Sequence, residues 1–231
     1  DAVIDLLRRA ADDEPATITW AQSAHNTSVP RPVVERVADA LRPAVEIASE
    51  PHSADDEALR TALDTVGATK VLCGPRHGVV GVENWNASVA ARLGLAAPDL
   101  APPGTPILIT VNAPHLGLVN GSIGLVVLIV SAGESEQKVA FLIGDEIRTF
   151  DQATLPAWEP CFAMTVHKSQ GSEYGSLVVT ALPGESSPLL TRELFYTAVT
   201  RAKREVIVVG SEESIRASVR NESSRDSGIA A

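Results

Sequence analysis

The sequence lacks a phosphate-binding loop of the G-x-x-x-x-G-K-[ST] type. Its four lysines are Lys70, Lys138, Lys168 and Lys203, and none of them follows a glycine. In that loop the backbone and the lysine hold the nucleotide phosphates, and the final hydroxyl binds Mg²⁺. A strand ending in paired acidic residues, the Walker B element, is not evident either. These absences exclude a self-sufficient P-loop nucleotide hydrolase within this sequence.

Cysteines are scarce, and long apolar runs are missing. Cys73 and Cys161 lie far apart and each border an apolar run, which is typical of buried, reduced core residues in a cytoplasmic protein. Their number and spacing exclude a metal site. No apolar run reaches the roughly 18 residues of a membrane span, and the first ten residues form an amphipathic pattern instead of a signal peptide. We therefore expect no membrane partner.

Basic residues are outnumbered, and the formal net charge is −10. Residues 1–70 carry 13 acidic and 7 basic residues, whereas residues 151–204 carry 5 of each. A negative charge disfavours non-specific binding to nucleic acid, so we expect the chain alone to bind DNA poorly. The acidic residues are concentrated outside residues 151–204, so the negative net charge of the whole chain says little about whether that segment binds nucleic acid.

Apolar residues make up 45% of the chain, enough for one or two globular domains with a core. On both sides of a central segment they alternate between helical spacing and short buried runs, the pattern of an α/β sheet. The predicted helices cover residues 1–10, 30–47, 55–66, 81–93 and 191–200. The predicted strands cover residues 17–20, 70–73, 177–182 and 206–210.

The central segment has a different composition, which begins with four prolines between Leu95 and Pro106. Short strand signals follow, joined by Asn120-Gly121, Ala132-Gly133 and Gly144-Asp145, which are typical of hairpin turns. The strand signals cover residues 106–111, 124–129, 138–143, 146–150 and, weakly, 154–155. A strand-only stretch inside an α/β pattern predicts a small inserted β-barrel.

Two polar clusters each precede a buried strand, at 165–173 and 196–203. Polar residues at the edges of buried strands are where α/β sheets bind nucleotides. The guanidinium of Arg201 is always charged and can fork onto phosphate oxygens. Taken alone, Arg201 is better explained as a solvated arginine at a helix end, and His167 as a hydrogen-bonded core histidine.

The two clusters, TVHKSQGSEY (165–174) and LFYTAVTRAK (194–203), resemble motifs V and VI of superfamily 1 helicases, specifically of the RecD-like branch. Both motifs are long, ordered and correctly separated. The resemblance implies single-stranded DNA contacts for the polar residues at the start of motif V: Thr165, His167, Lys168 and Ser169.

The same resemblance assigns ATP chemistry to the remaining polar residues. It implies that Arg201 is the arginine finger, supported by Lys203 and Thr200. It also implies that Gln170 acts beside the γ-phosphate. Gly171 and Glu173 are implied to bind ATP, with Glu173 near the ribose or the coupling network. A glycine lets the backbone approach a phosphate without a Cβ in the way. Phosphoryl transfer is catalysed mainly by positioning and charge stabilisation, and an arginine from a neighbouring domain can contribute about a thousandfold in rate.

The strand, loop and helix of residues 70–93 resemble motif IV of the same family. The resemblance implies that Arg76 contacts a phosphate of ATP, and a solvated loop arginine remains the alternative. The family often has an acid where His77 stands, which leaves the chemistry of this loop open. Three neighbouring residues have structural explanations: Asn84 and Asn86 as helix caps, and Trp85 as a packed side chain.

The segment LITVN…LGLVNGSIGLVV (108–127) is similar to the Src-homology-3-like (SH3-like) barrel that RecD-like proteins carry at this point. Ala113-Pro114 and Ser122 stand where the family often has acids, but these positions fall in turns. Asn112 and Asn120 are explained as turn formers. Contact of Asn120 with DNA or a partner subunit is the alternative.

The predicted fold is therefore α/β, a RecA-like motor domain of the P-loop NTPase type without its own Walker A motif, with an inserted SH3-like barrel. The expected segments are residues 1–103 and 159–216 for the motor domain and 104–158 for the barrel. Residues 217–231 are polar and are expected to form a disordered tail.

The resemblance implies the C-terminal half of an ATP-dependent 5′-3′ DNA helicase that acts in double-strand break repair and recombination. ATP and Mg²⁺ would be held mainly by an N-terminal motor half, so we expect the chain alone to be inactive. The implied partners are single-stranded DNA, that N-terminal half, and RecB- and RecC-type subunits. Two alternatives stay open: a catalytically silent scaffold that docks a nuclease or helicase, and a related helicase that acts alone or within a relaxase.

Overall fold

The computed structural model describes residues 3–5, 7, 18–23, 28–53, 56–95, 100–131 and 133–222. The strands are β1 (Ile18–Gln22), β2 (Pro51–His52), β3 (Thr69–Cys73), β4 (Pro106–Ile109), β5 (Ile123–Ser131), β6 (Glu134–Ile143), β7 (Glu146–Phe150), β8 (Trp158–Pro160), β9 (Ala163–Thr165), β10 (Leu177–Ala181) and β11 (Glu205–Gly210). The longer helices are α1 (Arg31–Ser49), α2 (Glu57–Ala68), α3 (Val82–Leu93), α4 (Arg192–Val199) and α5 (Glu212–Arg220).

The first sheet is parallel, with its strands in the order β1-β11-β10-β3-β9. The central strands β3 and β10 are buried along their whole lengths, because helices cover both faces of a parallel sheet. This explains the apolar runs that predicted these strands, and the strands predicted at 70–73, 177–182 and 206–210 are confirmed. Lys70 is an exception inside β3, since its buried Nζ donates a hydrogen bond to the Cys161 carbonyl at 2.9 Å.

Helices α1, α2 and α3 cover one face of the parallel sheet, and α4 and α5 cover the other. The apolar side chains of α1 recur at helical spacing, so one stripe of the helix is buried. Helix α3 ends at Gly94, whose φ of 73° is the left-handed conformation usual after a helix. Among the helical residues near the start of the chain, Ile4 and Leu7 are buried against the α4 side; the rest of the predicted first helix lies outside the described residues.

The second sheet is antiparallel, in the order β7-β6-β5-β4-β8, and β2 pairs in parallel with β5. Four of the predicted strands correspond to β4, β5, β6 and β7. Gly124 of β5 faces Phe141 of β6, where an added Cβ would lie 2.6 Å from the aromatic ring. The edge strands β7 and β8 are not paired with each other among the described residues, so closure into a barrel remains a prediction.

Two local predictions in and after this region are wrong. Residues 154–155 are not a strand, because Gln152–Thr154 form a 3-10 turn in which Thr154 bonds to the Asp151 carbonyl. The disordered tail does not begin at 217, because α5 continues to Arg220. The Asn221 side chain then donates to the Leu190 carbonyl. Buried Ile215 and Ser218 hold α5 against the sheet, and residues 223–231 lie outside the described part of the chain.

Helices α1 and α2 lie between the two sheets. Both pack on the parallel sheet through β3, and both pack on the antiparallel sheet through β5. A single apolar core contains residues of both sheets and of these helices, for example Val71, Val37 and Val127. The antiparallel sheet is therefore bound to the α/β part through a shared core. None of the helices that the described residues form has the length and apolar content to cross a membrane.

Candidate functional site

Most of the predicted site residues lie in two groups at opposite edges of the parallel sheet. The loop that contains Arg76 and the turn Val166–Ser169 follow the carboxyl ends of β3 and β9. The loops 172–176 and 200–204 precede the amino ends of β10 and β11. All five strands point the same way, so the groups are separated by a strand length, about 15 Å for five residues. We call them the carboxyl-edge cluster (Arg76, Glu159, Thr165, His167 and Lys168) and the amino-edge cluster (Ser172, Glu173, Tyr174, Arg201 and Lys203).

In the amino-edge cluster, Arg201 is held by backbone carbonyls. Its Nε donates to the Thr197 carbonyl at 3.1 Å and its Nη1 donates to the Ser172 carbonyl at 3.0 Å. The other terminal nitrogen, Nη2, has no hydrogen-bond partner within the described part of the chain. Two bonds to carbonyls fix the plane of the guanidinium, and the third nitrogen remains able to donate to an anion.

Lys203 and Glu173 form an exposed ion pair in the same cluster, with Nζ and Oε2 3.0 Å apart. The hydrogen bond and the charge of Lys203 lower the pKa of the Glu173 carboxyl. Both side chains are more than half exposed, so the pair contributes little to stability. The pair instead sets the position of two charged groups beside Arg201.

Backbone hydrogen bonds join the two loops of the amino-edge cluster. The Tyr174 N–H donates to the Arg201 carbonyl at 2.8 Å, and the Lys203 N–H donates to the Tyr174 carbonyl at 2.9 Å. Tyr174 is buried, and its hydroxyl donates to Met164 Sδ at 3.5 Å. Burial raises the pKa of Tyr174 to about 12, so the phenol stays neutral. The motif V and motif VI loops therefore form one unit around a buried anchor.

Gly171 lies in the segment that runs from one edge of the sheet to the other. Its φ is +84°, the left-handed region that glycine adopts without steric cost. No atom lies within 4 Å of the position where a Cβ would stand. The backbone conformation, and not a neighbouring atom, therefore requires glycine here.

In the carboxyl-edge cluster, the Thr165 hydroxyl accepts a hydrogen bond from the Lys168 N–H at 3.4 Å and caps the 3-10 turn Val166–Ser169. His167 and Lys168 are exposed on this turn. A cavity of about 320 Å³ lies between the turn and α4, lined by His167, Gln170 and Thr197 among others. Gln170 therefore lies between the two clusters, because the Thr197 carbonyl is also a partner of Arg201.

Ser169 does not lie on an accessible surface, although the resemblance implies a contact with DNA. Its side chain is fully buried, and its hydroxyl donates to the Val166 carbonyl at 2.7 Å. The hydroxyl is thus used to close the 3-10 turn. Ser169 shapes the segment that presents His167 and Lys168, and it does not itself face a strand of nucleic acid.

Arg76 lies with Lys168, and the structure does not bring it together with Arg201. Arg76 Nη2 and Lys168 Nζ each lie 2.7 Å from a different oxygen of the Glu159 carboxylate. Burial by itself would raise the pKa of Glu159, but the hydrogen bonds from Lys168 and Arg76 outweigh it and lower that pKa. Arg76 follows β3 at the carboxyl edge and Arg201 lies at the amino edge. The ATP contacts that the resemblance implies for the two arginines would therefore lie about one strand length apart.

The two asparagines of α3 are not helix caps, because Gly81 occupies the N-cap position. Asn84 donates to the Val79 carbonyl at 2.6 Å. Asn86 pairs with the backbone of Ala163: it accepts from the N–H at 2.8 Å and donates to the carbonyl at 3.3 Å. Asn86 thereby provides hydrogen-bond partners for the backbone on the outer edge of β9, two residues before Thr165. Trp85 packs in the core with no exposed surface, as predicted.

Asn120 is exposed in a turn of the antiparallel sheet, and its N–H donates to the Asn112 side-chain oxygen at 2.7 Å. This bond confirms that Asn112 helps to form the turn. The contacts of the described residues connect Asn120 to neither cluster.

Sequence reasoning missed Glu159. Its partners Arg76 and Lys168 are 83 and 9 positions away in the chain, so no local motif joins the three residues. The residue stands at the predicted boundary of the inserted segment, and the only signal was its place directly before the buried run that leads into motif V.

The sequence is similar to those of known helicase proteins. Residues 160–209 match the UvrD-like helicase C-terminal domain. The chain is 36% identical over 235 residues to the RecBCD enzyme subunit RecD of Mycolicibacterium smegmatis, which covers 99% of this chain and 40% of that protein. It is 42% identical over 174 residues to the same subunit of Mycobacterium tuberculosis, with 73% and 29% covered.

A more distant relative is the ATP-dependent RecD2 DNA helicase of Deinococcus radiodurans, 30% identical over 154 residues, with 63% of this chain and 20% of that protein covered. The chain thus spans well under half the length of each of these relatives. The family match and these relatives show that the chain belongs to the RecD-like superfamily 1 helicases and corresponds to a C-terminal part of such a protein. The parallel sheet with helices on both faces is the α/β fold of such a helicase domain.

Proposed function

We propose that this chain is the C-terminal motor half of an ATP-dependent 5′-3′ DNA helicase that acts in double-strand break repair and recombination. The observation that carries the proposal is the placement of two charged clusters at opposite edges of one parallel sheet, joined by the continuous segment 165–175. ATP is bound at the amino edge and single-stranded DNA at the carboxyl edge. A change at one edge reaches the other through that segment.

At the amino edge, Arg201 is the arginine finger. Two carbonyls fix its guanidinium, and Nη2 remains to donate to the γ-phosphate of an ATP held by the other motor half. A cation that is already in place where negative charge develops stabilises the transition state of phosphoryl transfer strongly. Lys203 and Glu173 place further polar groups around the nucleotide, and the left-handed backbone at Gly171 brings the chain past it. Gln170 connects this edge to the DNA turn.

At the carboxyl edge, Thr165, His167 and Lys168 contact the DNA backbone. The Asn86–Ala163 pair and the capped 3-10 turn hold these residues in place. Arg76 belongs to this group in our proposal, in place of the ATP contact that the resemblance suggested. Contacts with phosphate and sugar carry no sequence information, which suits a protein that moves along any strand.

The remaining partners come from outside this sequence. Since the sequence has no Walker A lysine, an N-terminal motor half supplies the binding site for ATP and Mg²⁺. We propose that the chain alone does not hydrolyse ATP. The antiparallel sheet is the SH3-like barrel of this family in our proposal. Its exposed Val111 and Val119, beside Asn120, are suited to docking DNA or a RecB- or RecC-type subunit.

The test is single-strand-stimulated ATP hydrolysis by the chain joined to its N-terminal half. We expect Arg201→Ala to lower the turnover number by about a thousandfold or more, while affinity for single-stranded DNA is retained. Arg204→Ala is the matched control, because Arg204 is an exposed arginine three residues away, and it should keep normal turnover. Full turnover in Arg201→Ala would exclude the finger role. If the wild-type joined protein assembles its complex but hydrolyses no ATP, and the motif variants behave in the same way, the scaffold function is favoured.

A further inference from the structure

Glu159 holds two of the cations that our proposed function assigns to DNA. Its Oε2 lies 2.7 Å from Arg76 Nη2 and its Oε1 lies 2.7 Å from Lys168 Nζ. Both carboxylate oxygens are therefore occupied, each by a different cation. The three residues come from separate parts of the chain: β8, the loop after β3 and the turn after β9.

The carboxylate of Glu159 is more buried than the two cations that it binds. The Glu159 side chain is 18% exposed, whereas Arg76 is 48% and Lys168 is 33% exposed. The cations are accessible to a ligand and the carboxylate is recessed beneath them. A cavity of about 520 Å³, lined by Arg76 and Glu159 together with Trp158 and Phe162, opens beside them. A strand of nucleic acid can reach Arg76 from this cavity, whereas Lys168 does not line the cavity and is reached from the exposed surface of the 3-10 turn.

A carboxylate with two oxygens facing two cations presents the same contacts as the two unesterified oxygens of a phosphodiester. In the DNA-free protein the positive charge of this edge is largely neutralised. Glu83 adds to this, since its Oε1 lies 3.8 Å from Arg76 Nε and 3.0 Å from His77 Nδ1. A phosphate that binds here must compete with a carboxylate that is already bonded to both cations.

We propose that Glu159 occupies the place of a DNA phosphate in the DNA-free protein, and that binding of single-stranded DNA requires it to release Arg76 and Lys168. This inference rests on the proposed function, because it takes the carboxyl edge as the DNA site. The internal anion weakens each phosphate contact, and a motor that must let go of the strand at every step benefits from a weak contact.

The antiparallel sheet holds the backbone of Glu159 in place. Glu159 is paired with Leu108 of β4 in the ladder between β4 and β8, so its backbone is fixed to the sheet and not to either motif loop. With the backbone of β8 held in place, release of the carboxylate requires the Arg76 and Lys168 side chains to turn away from it. The inserted sheet is thereby given a role in the DNA grip, although it contributes no contact with DNA at this point.

The experiment measures the affinity of the chain, joined to its N-terminal half, for a fluorescently labelled oligo(dT) across a series of NaCl concentrations. We expect Glu159→Gln to bind about five- to twentyfold more tightly at low salt. For single strands the slope of log K against log salt is about −0.7 per neutralised phosphate, so freeing two cations should steepen it by up to about 1.4. Glu83→Gln is the matched control and should change both quantities less, because its contact with Arg76 is longer.

A second variant keeps the test decisive if Glu159→Gln folds poorly. Glu159→Asp keeps the charge but shortens the reach, so it should free one cation and give an intermediate affinity and slope. Unfolding midpoints of all variants are compared with the wild type.

Two results would overturn the inference, and they are distinguishable. If Lys168→Met and Arg76→Met weaken DNA binding but Glu159→Gln binds no more tightly than wild type, the carboxylate only positions the cations. The proposed DNA site then stands without the competition. If Lys168→Met, Arg76→Met and His167→Ala all leave DNA affinity unchanged, the carboxyl edge is not the DNA site, and both proposals fail.

Discussion

At the scale of single residues, Gly171 determines the backbone path between the two clusters, because its backbone is left-handed. Its φ is +84°, while the space around its Cβ position is empty. The cost of another residue there is therefore conformational and can be measured without a steric clash.

We expect Gly171→Ala to lower the free energy of unfolding by about 1–2 kcal/mol, since an L-residue pays roughly that amount in the left-handed region. Gly184→Ala is the control, because Gly184 has neither a positive φ nor an atom near its Cβ position, and it should change stability by less than about 0.5 kcal/mol. Urea unfolding of the two variants gives the comparison. Equal stabilities would show that the segment adapts by leaving the left-handed region.

Among the elements, strand β2, which precedes α2, contains a buried histidine with two hydrogen-bond acceptors. His52 Nδ1 lies 2.8 Å from Asp56 Oδ2, and His52 Nε2 lies 2.7 Å from the Ile47 carbonyl oxygen. Because both partners can accept, both ring nitrogens donate when the ring is protonated, and the arrangement favours the imidazolium. Asp56 is also the N-cap of α2 and accepts from the Ala58 N–H at 2.8 Å. The pair thus joins β2 and the end of α1 to the beginning of α2.

This pair predicts a pH dependence of stability. Burial works to lower the pKa of His52, but the bonds to Asp56 and to the Ile47 carbonyl outweigh it and raise that pKa above 6.5. A histidine whose pKa is higher in the folded protein stabilises the fold. This contribution to the free energy of unfolding is complete below pH 6.5, the pKa in the unfolded chain, and is lost as pH rises through the folded pKa. We therefore expect His52→Gln to cost about 1–3 kcal/mol at pH 6 and progressively less above pH 6.5.

Denaturant unfolding at several pH values tests this, with His115→Gln, which removes an exposed histidine, as the control. A stability difference between wild type and His52→Gln that stays constant across this range would mean that the ring is neutral in the folded protein. The pKa of Asp56 is lowered, first by its bond to His52, so its own contribution appears above pH 3.8 and fades only as pH falls through the lowered value.

The regular elements were largely predictable from the sequence because their signals are local. The apolar spacing of α1 and the continuous apolar runs of β10 and β11 are complete within each segment. The elements that were missed depend on distant partners. Helix α5 is short and mostly polar, and it is stabilised by burying Ile215 and by the bond from Asn221 to Leu190. Strand β8 exists because β4 pairs with it.

The candidate site follows the same division. Motif spacing pointed to Thr165, His167 and Arg201, because each motif is contiguous in the chain. It did not show that the motifs lie at opposite edges of the sheet, since that depends on the direction of every strand. Nor did it show Ser169 as buried or Lys70 bonded to Cys161. These are properties of packing between segments that are far apart in sequence.

For the whole molecule, the shared core predicts one unfolding transition for both sheets. Trp85 lies in the core that joins the sheets, and Trp158 packs on the outer core of the antiparallel sheet. The sequence has three tryptophans, the third being Trp20. We compare variants that keep only Trp85 or only Trp158. In each variant the urea midpoint from tryptophan fluorescence should equal the midpoint from circular dichroism, which reports unfolding of the whole chain. An earlier fluorescence transition for Trp158 alone would show that the antiparallel sheet unfolds as a separate unit.

The sandwich of α1 and α2 between the two sheets has a mechanical consequence. A domain that is tethered by linkers can trail behind the part that moves, whereas one bonded through a common interior has to turn with it. Here Val37 and Val127 belong to the same interior as Val71 of the central strand β3. Any rotation of the α/β part therefore carries the antiparallel sheet with it, so the far end of that sheet travels further than the shared core does.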